Sequence, residues 1–407
     1  MTDRLPPQGR ETPMAVHSWA YHEMIAKSLL GTGNNKRLKA AIDKAKRGEK
    51  VTLAFIGGSI THGAGADPLH TACYAYLTYA SFKKTFGQTG GEAIRLIKAG
   101  VGGTPSELGM IRYDRDVLRD GAVQPDIVVV EFAVNDADDE TEGVCYESLV
   151  LKALSAENSP AVILLFSVFE SDWNLQERLS PIGRQYGLPM VSIKDAVTEQ
   201  FRKTPAEGRV ISKQDFFSDI YHPTNAGHAI MADCLSWLFT ETDRSVMVSE
   251  DTVIDLPPVI GNDFSGVRLL DRRNGPDMVK IDEGGFRATD SDLQFAEMDD
   301  HSFGTPQFPN NWMHTAESDN ESFIMTLRCK SLLLVYKNTG RDDFGDADIW
   351  FDGQHVKIAM SHTVKWTRCH AVILHRSEQS EEHRVEIRMA AGHESKRFTI
   401  LGFGFVD

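Results

Sequence analysis

Hydrophobic and polar positions follow different patterns in the two parts of the chain. From about residue 19 to residue 239, continuous apolar runs alternate with stretches whose apolar residues recur every three or four positions. The continuous runs predict strands covered on both faces, at residues 51–56, 94–98, 126–132, 161–167 and 190–193. The wider spacing predicts helices at residues 19–47, 73–80, 145–157, 175–186 and 225–239. This alternation predicts an α/β fold with a mostly parallel sheet flanked by helices.

The pattern changes after about residue 240. Residues 241–266 are acidic and contain Pro257 and Pro258, which is typical of a linker or a crossover between domains. Beyond them, β-type runs recur between turns rich in Gly, Asp and Asn, at residues 267–270, 323–329, 331–336, 348–351, 356–359, 370–375, 384–389 and 398–405. These short runs predict an antiparallel β-sandwich. We therefore expect two domains, residues 1–245 and 246–407, with residues 1–18 forming a tail.

Composition narrows the classes of function. Of the 407 residues, 41% are hydrophobic and 25% are charged, which is typical of a globular protein. The net charge of −15 disfavours a nucleic acid partner but allows a neutral polymer. No run approaches eighteen apolar residues and the N-terminus is polar, so we expect neither a membrane span nor a secretory signal. The five scattered cysteines predict reduced core thiols in a cytoplasmic protein.

The first candidate for chemistry is Ser59, which follows the predicted strand at residues 51–56. Gly57 and Gly58 permit a tight turn that presents Ser59 at the carboxyl end of the sheet, where sites of open α/β sheets lie. Taken alone, Ser59 is equally well explained as the cap of a helix.

Nucleophilic serine catalysis also needs an imidazole base, a carboxylate that orients it, and donors for the oxyanion. Asp219 and His222 lie three residues apart in a predicted turn before the last helix. Gly102 and Gly103 follow one predicted strand and Asn135 follows another. Each of these pieces alone is ordinary turn or helix-start chemistry. Their order along the chain, each at the edge of a separate strand-helix unit, favours one hydrolytic site.

Because Ser59, the glycine loop, Asn135 and the Asp219–His222 pair occur in this order, residues 51–239 resemble the SGNH or GDSL hydrolase superfamily. That superfamily has a three-layer, flavodoxin-like fold. The resemblance implies that Ser59 is the nucleophile, that His222 is the general base and then acid, and that Asp219 orients it. It also implies an oxyanion hole made by the backbone N–H groups of Ser59 and Gly103 and the side-chain amide of Asn135, with no metal or organic cofactor.

The chain departs from the family pattern at three places. Gly57-Gly58-Ser59 stands where the family has Gly-Asp-Ser, Lys98 stands where an asparagine often opens the glycine block, and Ala133 opens the block that contains Asn135. None of these changes removes a catalytic atom.

The C-terminal part resembles, less specifically, the β-sandwich carbohydrate-binding modules of polysaccharide enzymes, in residues 331–336 and 347–353. Trp312 lies in a polar stretch, where its ring either stacks on a sugar face or is tucked between the two domains. The combination is similar to the two-domain mannan acetylesterases of carbohydrate esterase family 17. That similarity implies removal of O-acetyl groups from plant-type oligosaccharides or polysaccharides, best matched by acetylated mannan-type oligosaccharides, through an acyl-enzyme on Ser59.

Two alternatives stay open: a hydrolase of the same mechanism that acts on lipid or thioester acyl chains, and a non-catalytic glycan-binding protein. Among other polar residues, His62 lies one helical turn beyond Ser59, where it either lines the substrate pocket or faces solvent. Glu131 is expected to be a buried, hydrogen-bonded carboxylate. Eight of the fourteen histidines lie from His301 to His393 without paired metal-ligand spacing, so we expect no metal site.

Overall fold

The computed structural model describes residues 18–275 and 279–407. The predicted tail at residues 1–18 lies outside the described residues except for Ser18. The Ser18 hydroxyl accepts a hydrogen bond from the N–H of Tyr21 and caps the first helix. None of the helices in the described ranges is long and apolar enough to cross a membrane.

The first domain is built on a six-stranded sheet. Its strands are β1 (Leu29–Gly31), β2 (Val51–Gly57), β3 (Ile94–Gly100), β4 (Ile127–Glu131), β5 (Ala161–Phe166) and β6 (Met190–Ser192). Their order across the sheet is β1-β6-β5-β4-β2-β3, and only the β1–β6 pair is antiparallel. The predicted mostly parallel sheet is confirmed.

Helices cover both faces of this sheet. They are α1 (Trp19–Ala26), α2 (Lys36–Lys46), α3 (Ser59–His62), α4 (Leu69–Ala72), α5 (Tyr74–Phe86), α6 (Ser106–Asp116), α7 (Val144–Leu154), α8 (Gln176–Gln185), α9 (Ile193–Arg202), α10 (Lys213–Phe216) and α11 (Asn225–Arg244). On β2, Leu53 and Phe55 pack with the layer containing α1, α2, α5, α9 and α11, whereas Ala54 and Ile56 pack with α6, α7 and α8. Because successive side chains point to opposite faces, a strand between two helical layers is apolar at every position.

Two local predictions need correction. The helix expected at residues 19–47 is interrupted by β1, because the chain there turns to pair with β6 at the sheet edge. Gly33 has a φ of +55°, which a helix does not tolerate, and lies directly against the backbone of Leu188. The sequence interpretation also missed two helices: α6, and α9, which begins at Ile193 immediately after β6 and is capped by the Ser192 hydroxyl.

The second domain is antiparallel. Its strands are β7 (Arg268–Leu270), β8 (Lys280–Asp282), β9 (Phe295–Glu297), β10 (Gly304–Pro306), β11 (Trp312–His314), β12 (Phe323–Asn338), β13 (Ala347–Phe351), β14 (Gln354–Ala359), β15 (Arg368–Met389) and β16 (Phe398–Val406). Eight of them form one sheet, in the order β11-β16-β12-β15-β13-β14, with β7 on β16 and β8 on β12. The β9–β10 hairpin is separate.

Two long strands make this sheet fold over on itself. The runs predicted as separate strands at residues 323–329 and 331–336 are both part of β12, and those at 370–375 and 384–389 are both part of β15. The register of β12 on β15 shifts between Cys329 and Ser331, as expected for a β-bulge. Phe323, before the shift, stacks on Phe403 of β16 with ring centroids 5.9 Å apart. The two halves therefore enclose one core, and the predicted β-sandwich is confirmed.

The two domains share an apolar interface. Leu332 and Leu334 of β12 point into the sandwich core, whereas Leu333 and Val335 pack with the α6–α8 side of the first domain. Both faces of this strand are therefore buried, which explains the continuous apolar run that resembled a binding module. The segment at residues 245–266 lies against the first domain. Three backbone N–H groups of this segment donate hydrogen bonds to the carboxylate of Glu147 on α7.

Candidate active site

Ser59 is presented at the carboxyl end of β2, the strand between β3 and β4. It is the first residue of α3, immediately after Gly58. A Cβ on Gly58 would overlap the side-chain amide of Asn135, so this glycine allows the amide to lie beside the serine. A Cβ on Gly57 would overlap the Thr61 side chain and lie 2.6 Å from the carbonyl of Glu131. The glycine pair therefore permits the close approach of three elements around Ser59.

Ser59, His222 and Asp219 form a continuous hydrogen-bonded series. His222 Nε2 lies 2.9 Å from Ser59 Oγ, and His222 Nδ1 lies 2.8 Å from Asp219 Oδ2. Asp219 Oδ1 accepts hydrogen bonds from the N–H groups of Tyr221 at 2.7 Å and His222 at 2.8 Å. Since a carboxylate only accepts, Nδ1 carries the proton and Nε2 is left free to accept the serine proton. The structure thus brings together the three side chains that the sequence predicted as catalytic.

The environment of Asp219 keeps it ionised. Partial burial alone would raise the pKa of its carboxyl, but the hydrogen bonds from the His222 ring and from the two backbone N–H groups outweigh it and lower the pKa. An ionised carboxylate both orients the imidazole and stabilises the imidazolium that forms when His222 takes a proton.

The predicted oxyanion donors lie at the ends of the neighbouring strands. Gly102 and Gly103 follow β3, and a Cβ on Gly102 would lie 3.9 Å from the Cβ of Ser59. Asn135 follows β4, with its amide beside Gly58. Gly103 has a φ of +63°, a conformation that favours glycine. The Asn135 amide therefore lies beside the residue that precedes Ser59, and the loop that contains Gly103 approaches Ser59 at Gly102.

This geometry agrees with comparisons to known proteins. Residues 55–230 match the model of the GDSL-like lipase and acylhydrolase family. The first domain is a GDSL-type hydrolase domain. No curated protein matches the sequence significantly.

The likeness to solved structures extends over both domains. The crystal structure of a two-domain esterase active on acetylated mannans is 26% identical to this chain, has a TM-score of 0.78, and covers 94% of this chain and 99% of its own. A crystal structure of such an esterase with mannopentaose is 25% identical, has a TM-score of 0.77, and covers 94% of this chain and 98% of its own. The likeness to these two-domain esterases therefore covers both domains of this chain and their arrangement.

A buried carboxylate supports the helix that carries Ser59. Glu131, at the end of β4, accepts hydrogen bonds from the Thr61 hydroxyl at 3.1 Å and from the Ser167 hydroxyl. Burial raises the pKa of Glu131 to about 7, although the two hydroxyl donors act in the opposite direction. The expectation of a buried, hydrogen-bonded carboxylate is confirmed.

His62 lies at the junction of the two domains. Its Nε2 accepts a hydrogen bond of 2.9 Å from the N–H of Glu297 on β9, so this nitrogen is engaged by protein and not by substrate or solvent. Burial, and then the nearby charge of Lys98, lower its pKa from 6.5 to about 4. The GDSL domain is thus joined to the sandwich by a neutral histidine one turn from the nucleophile.

We expect acid to weaken this junction. Because the pKa of His62 is lower in the folded than in the unfolded chain, the stability that it contributes is present above pH 6.5 and is lost as the pH falls toward about 4. Linkage predicts a loss of about 2 kcal/mol in the free energy of unfolding between pH 7 and pH 5 from this group. Urea unfolding at the two pH values should show a correspondingly smaller loss for His62→Gln than for wild type. Equal losses would contradict this role of His62.

Trp312 is not a sugar platform. It is 1% exposed and lies in the core of the sandwich, against Phe323 and Phe403, with its Nε1 donating to Glu283. It therefore lies neither at a free surface nor between the domains, and both predictions for it are wrong. The reason is that Trp312 belongs to β11, whose pairing with β16 turns the ring inward.

A different tryptophan of the second domain reaches the site. Trp366, between β14 and β15, lies on the glycine loop of the GDSL domain, where a Cβ on Gly103 would overlap its ring. Its side chain is 47% exposed, so it lies on protein and faces solvent. The sequence signal was the same as for Trp312, a tryptophan among polar neighbours, but the prediction selected only Trp312.

On the His222 side, three further aromatic residues form what we term the aromatic shelf: Phe169, Trp173 and Tyr221. Phe169 stacks on Trp173 with centroids 5.8 Å apart and meets Tyr221 edge-on at 5.1 Å. The Tyr221 ring in turn packs edge-on against the His222 ring, with centroids 6.1 Å apart. Trp173 and Tyr221 are 37% and 48% exposed. Exposed aromatic side chains therefore lie on both sides of the candidate active site.

Among the residues that the structure describes, no group of three or more His, Cys, Asp or Glu side chains is arranged to hold a metal ion.

Proposed function

We propose that this protein is a serine esterase that removes O-acetyl groups from plant-type oligosaccharides or polysaccharides, with acetylated mannan-type oligosaccharides as substrate. The observation that carries the proposal is the match of both domains to an esterase active on acetylated mannans, over 94% of this chain. The hydrogen-bonded series of Ser59, His222 and Asp219 supplies the chemistry that such a reaction needs.

In the proposed reaction, His222 Nε2 takes the proton of Ser59 as the Oγ attacks the acetyl carbonyl carbon. The N–H groups of Ser59 and Gly103 and the amide of Asn135 stabilise the oxyanion of the tetrahedral intermediate. When the intermediate collapses, the ester C–O bond breaks, and the sugar oxygen leaves with the proton from His222. Water, activated by His222, then attacks the acetyl-enzyme by the same steps and releases acetate.

The exposed aromatic side chains support a glycan substrate. Trp366 lies on Gly103, and the aromatic shelf adjoins His222 through Tyr221, so exposed aromatic side chains lie beside two parts of the candidate site. Clusters of exposed aromatic side chains are typical of ligand-binding surfaces, and the C–H faces of sugar rings pack on such rings. We therefore place the sugar chain between Trp366 and the shelf, so that both domains contact it.

Replacing Trp366 by alanine should raise the KM for acetylated manno-oligosaccharides about tenfold or more, because a tryptophan in the centre of an interface contributes about 2 kcal/mol or more to binding. The KM for a small aryl acetate should change less, since that substrate does not reach the ring. Trp350→Ala is the matched control, because Trp350 lies elsewhere in the second domain, under Arg388. Equal effects of the two substitutions, or no effect of Trp366→Ala on the oligosaccharide, would contradict the placement of the sugar.

The substrate class is tested by a panel of esters. Wild-type protein should release acetate from acetylated mannan faster than from acetylated xylan, and should prefer acetyl to octanoyl aryl esters. A preference for octanoyl esters or for thioesters, without acetate release from either glycan, would overturn the carbohydrate assignment in favour of an acyl-chain hydrolase. Glycan binding without turnover of any ester would favour the non-catalytic alternative, which the complete Ser59, His222 and Asp219 series disfavours.

We also propose a cytoplasmic location. Its support is that all five cysteines are free and buried, as expected in a reducing compartment. In this setting the substrate would be an imported oligosaccharide. Fractionation of the source cells, followed by detection of the protein in the cytoplasmic or the secreted fraction, tests this proposal.

A further inference from the structure

One side chain of the second domain forms a hydrogen bond with the glycine loop beside Ser59, which contains Gly102 and Gly103. Gln294 lies immediately before β9 and is 8% exposed. Its Nε2 donates a hydrogen bond of 2.7 Å to the carbonyl oxygen of Gly102. Its Oε1 accepts one of 2.8 Å from the N–H of Cys369 on β15. The Gln294 amide therefore bridges the sandwich and the loop that contains the predicted oxyanion donor.

The Gly102 carbonyl that accepts from Gln294 and the Gly103 N–H that is the predicted oxyanion donor belong to the same peptide group. The carbonyl of Gly102 and the N–H of Gly103 share one planar trans peptide, so they point in opposite directions. A hydrogen bond that holds the carbonyl toward Gln294 therefore directs the N–H of Gly103 away from Gln294.

This loop needs an external support because it has little of its own. Gly102 and Gly103 carry no side chains, and glycine backbones have the greatest conformational freedom. The hydrogen bond from the Thr104 hydroxyl to the carbonyl of Val101 closes the loop but does not contact the Gly102 carbonyl. Gln294 does contact it, and the Cys369 N–H in turn fixes the orientation of the Gln294 amide.

We propose that Gln294 is a positioning residue, which orients the N–H of Gly103 toward the oxyanion and so makes the second domain part of the oxyanion hole. It acts through the peptide between Gly102 and Gly103 and does not touch the substrate. The inference rests on the proposed serine esterase reaction but not on the identity of the sugar. A small aryl acetate, which needs no glycan contact, is therefore the right probe.

The test replaces Gln294 by Glu and by Met. Glu retains an acceptor for the Cys369 N–H but sets a second acceptor against the Gly102 carbonyl, and Met retains length without a donor. For both variants we expect kcat on an aryl acetate to fall about 10- to 100-fold with KM unchanged, below the roughly 100- to 1,000-fold loss from removing an oxyanion donor altogether. The affinity for an arylboronic acid, which forms a tetrahedral adduct with Ser59, should fall by a similar factor.

The matched control is Gln307→Met. Gln307 is another buried glutamine of the second domain, but its side chain contacts Arg115 and the carbonyl of Thr305. We expect its kcat and boronate affinity to equal those of wild type. Rates are divided by the concentration of reactive Ser59, counted by complete labelling with an organophosphonate, so that partial unfolding of a variant does not enter the comparison.

Unchanged kcat in both Gln294 variants would overturn this inference alone, and so would an equal loss in Gln307→Met. An increase of KM at constant kcat would also overturn it, since that result would mean that Gln294 binds substrate. Absence of both turnover and labelling in wild-type protein would overturn the proposed reaction, and this inference with it.

Discussion

Replacing Ser59 by alanine will lower kcat for acetate release by about 10⁴- to 10⁶-fold, on acetylated glycan and on aryl acetate alike. The alanine protein lacks the oxygen that forms the acyl-enzyme, and His222 Nε2, 2.9 Å from that oxygen, is left without its proton donor. Any residual rate would come from the oxyanion donors acting on a water molecule. Acetate release by wild-type and variant protein, at equal concentrations of folded protein, measures the loss.

The control for this substitution is Ser218→Ala. Ser218 lies in the same turn as His222 and donates to its carbonyl at 3.0 Å, so its loss perturbs the turn without removing a reacting atom. We expect Ser218→Ala to retain kcat within about tenfold, as for the loss of one ordinary hydrogen bond. Similar rates for Ser59→Ala and wild type would exclude Ser59 as the nucleophile.

The first domain could be predicted because its signals are local. A strand between two helical layers is apolar at successive positions, as Leu53 to Ile56 show, so it is recognised by composition alone. The candidate site is equally local. Gly57 and Gly58 before Ser59, and the three-residue spacing of Asp219 and His222, are properties of single turns.

The second domain was harder to predict because its strands are defined by distant pairing. The break that the sequence suggests near Lys330 is a bulge within β12, since Cys329 and Ser331 both continue to pair with β15. The dependence on distant pairing also explains why Trp312 was predicted to contact substrate when Trp366 is the tryptophan near the site. Trp312 and Trp366 both have polar neighbours, but only the pairing of β11 with β16 buries Trp312.

Contacts between the two domains could not be predicted from the sequence. Gln294 lies 192 residues from Gly102, and Glu297 lies 235 residues from His62. No periodicity or motif spacing connects positions so far apart. These contacts nonetheless lie next to the nucleophile, so the part of the site contributed by the second domain emerges only from the folded chain.

Replacing Asp219 by asparagine should lower kcat about 10³- to 10⁴-fold while leaving the fold intact. The asparagine oxygen can still accept from the N–H groups of Tyr221 and His222, which preserves the turn. Its NH₂ group then faces His222 Nδ1 and donates to it. The imidazole proton consequently moves to Nε2, the nitrogen that must accept the proton of Ser59, so the base is present in the wrong tautomer.

Asp215→Asn is the control for the loss of one negative charge near the site. Asp215 lies on α10 and accepts from the Ser212 hydroxyl at 2.5 Å, away from the His222 ring. We expect its kcat to equal that of wild type, with KM unchanged. If Asp219→Asn had the same kcat as Asp215→Asn, Asp219 would serve only to fold the turn, and the tautomer of His222 would have to be set by another group. A large loss confined to Asp219→Asn would instead mean that the hydrogen bond of 2.8 Å between the carboxylate and Nδ1 is what makes His222 a base.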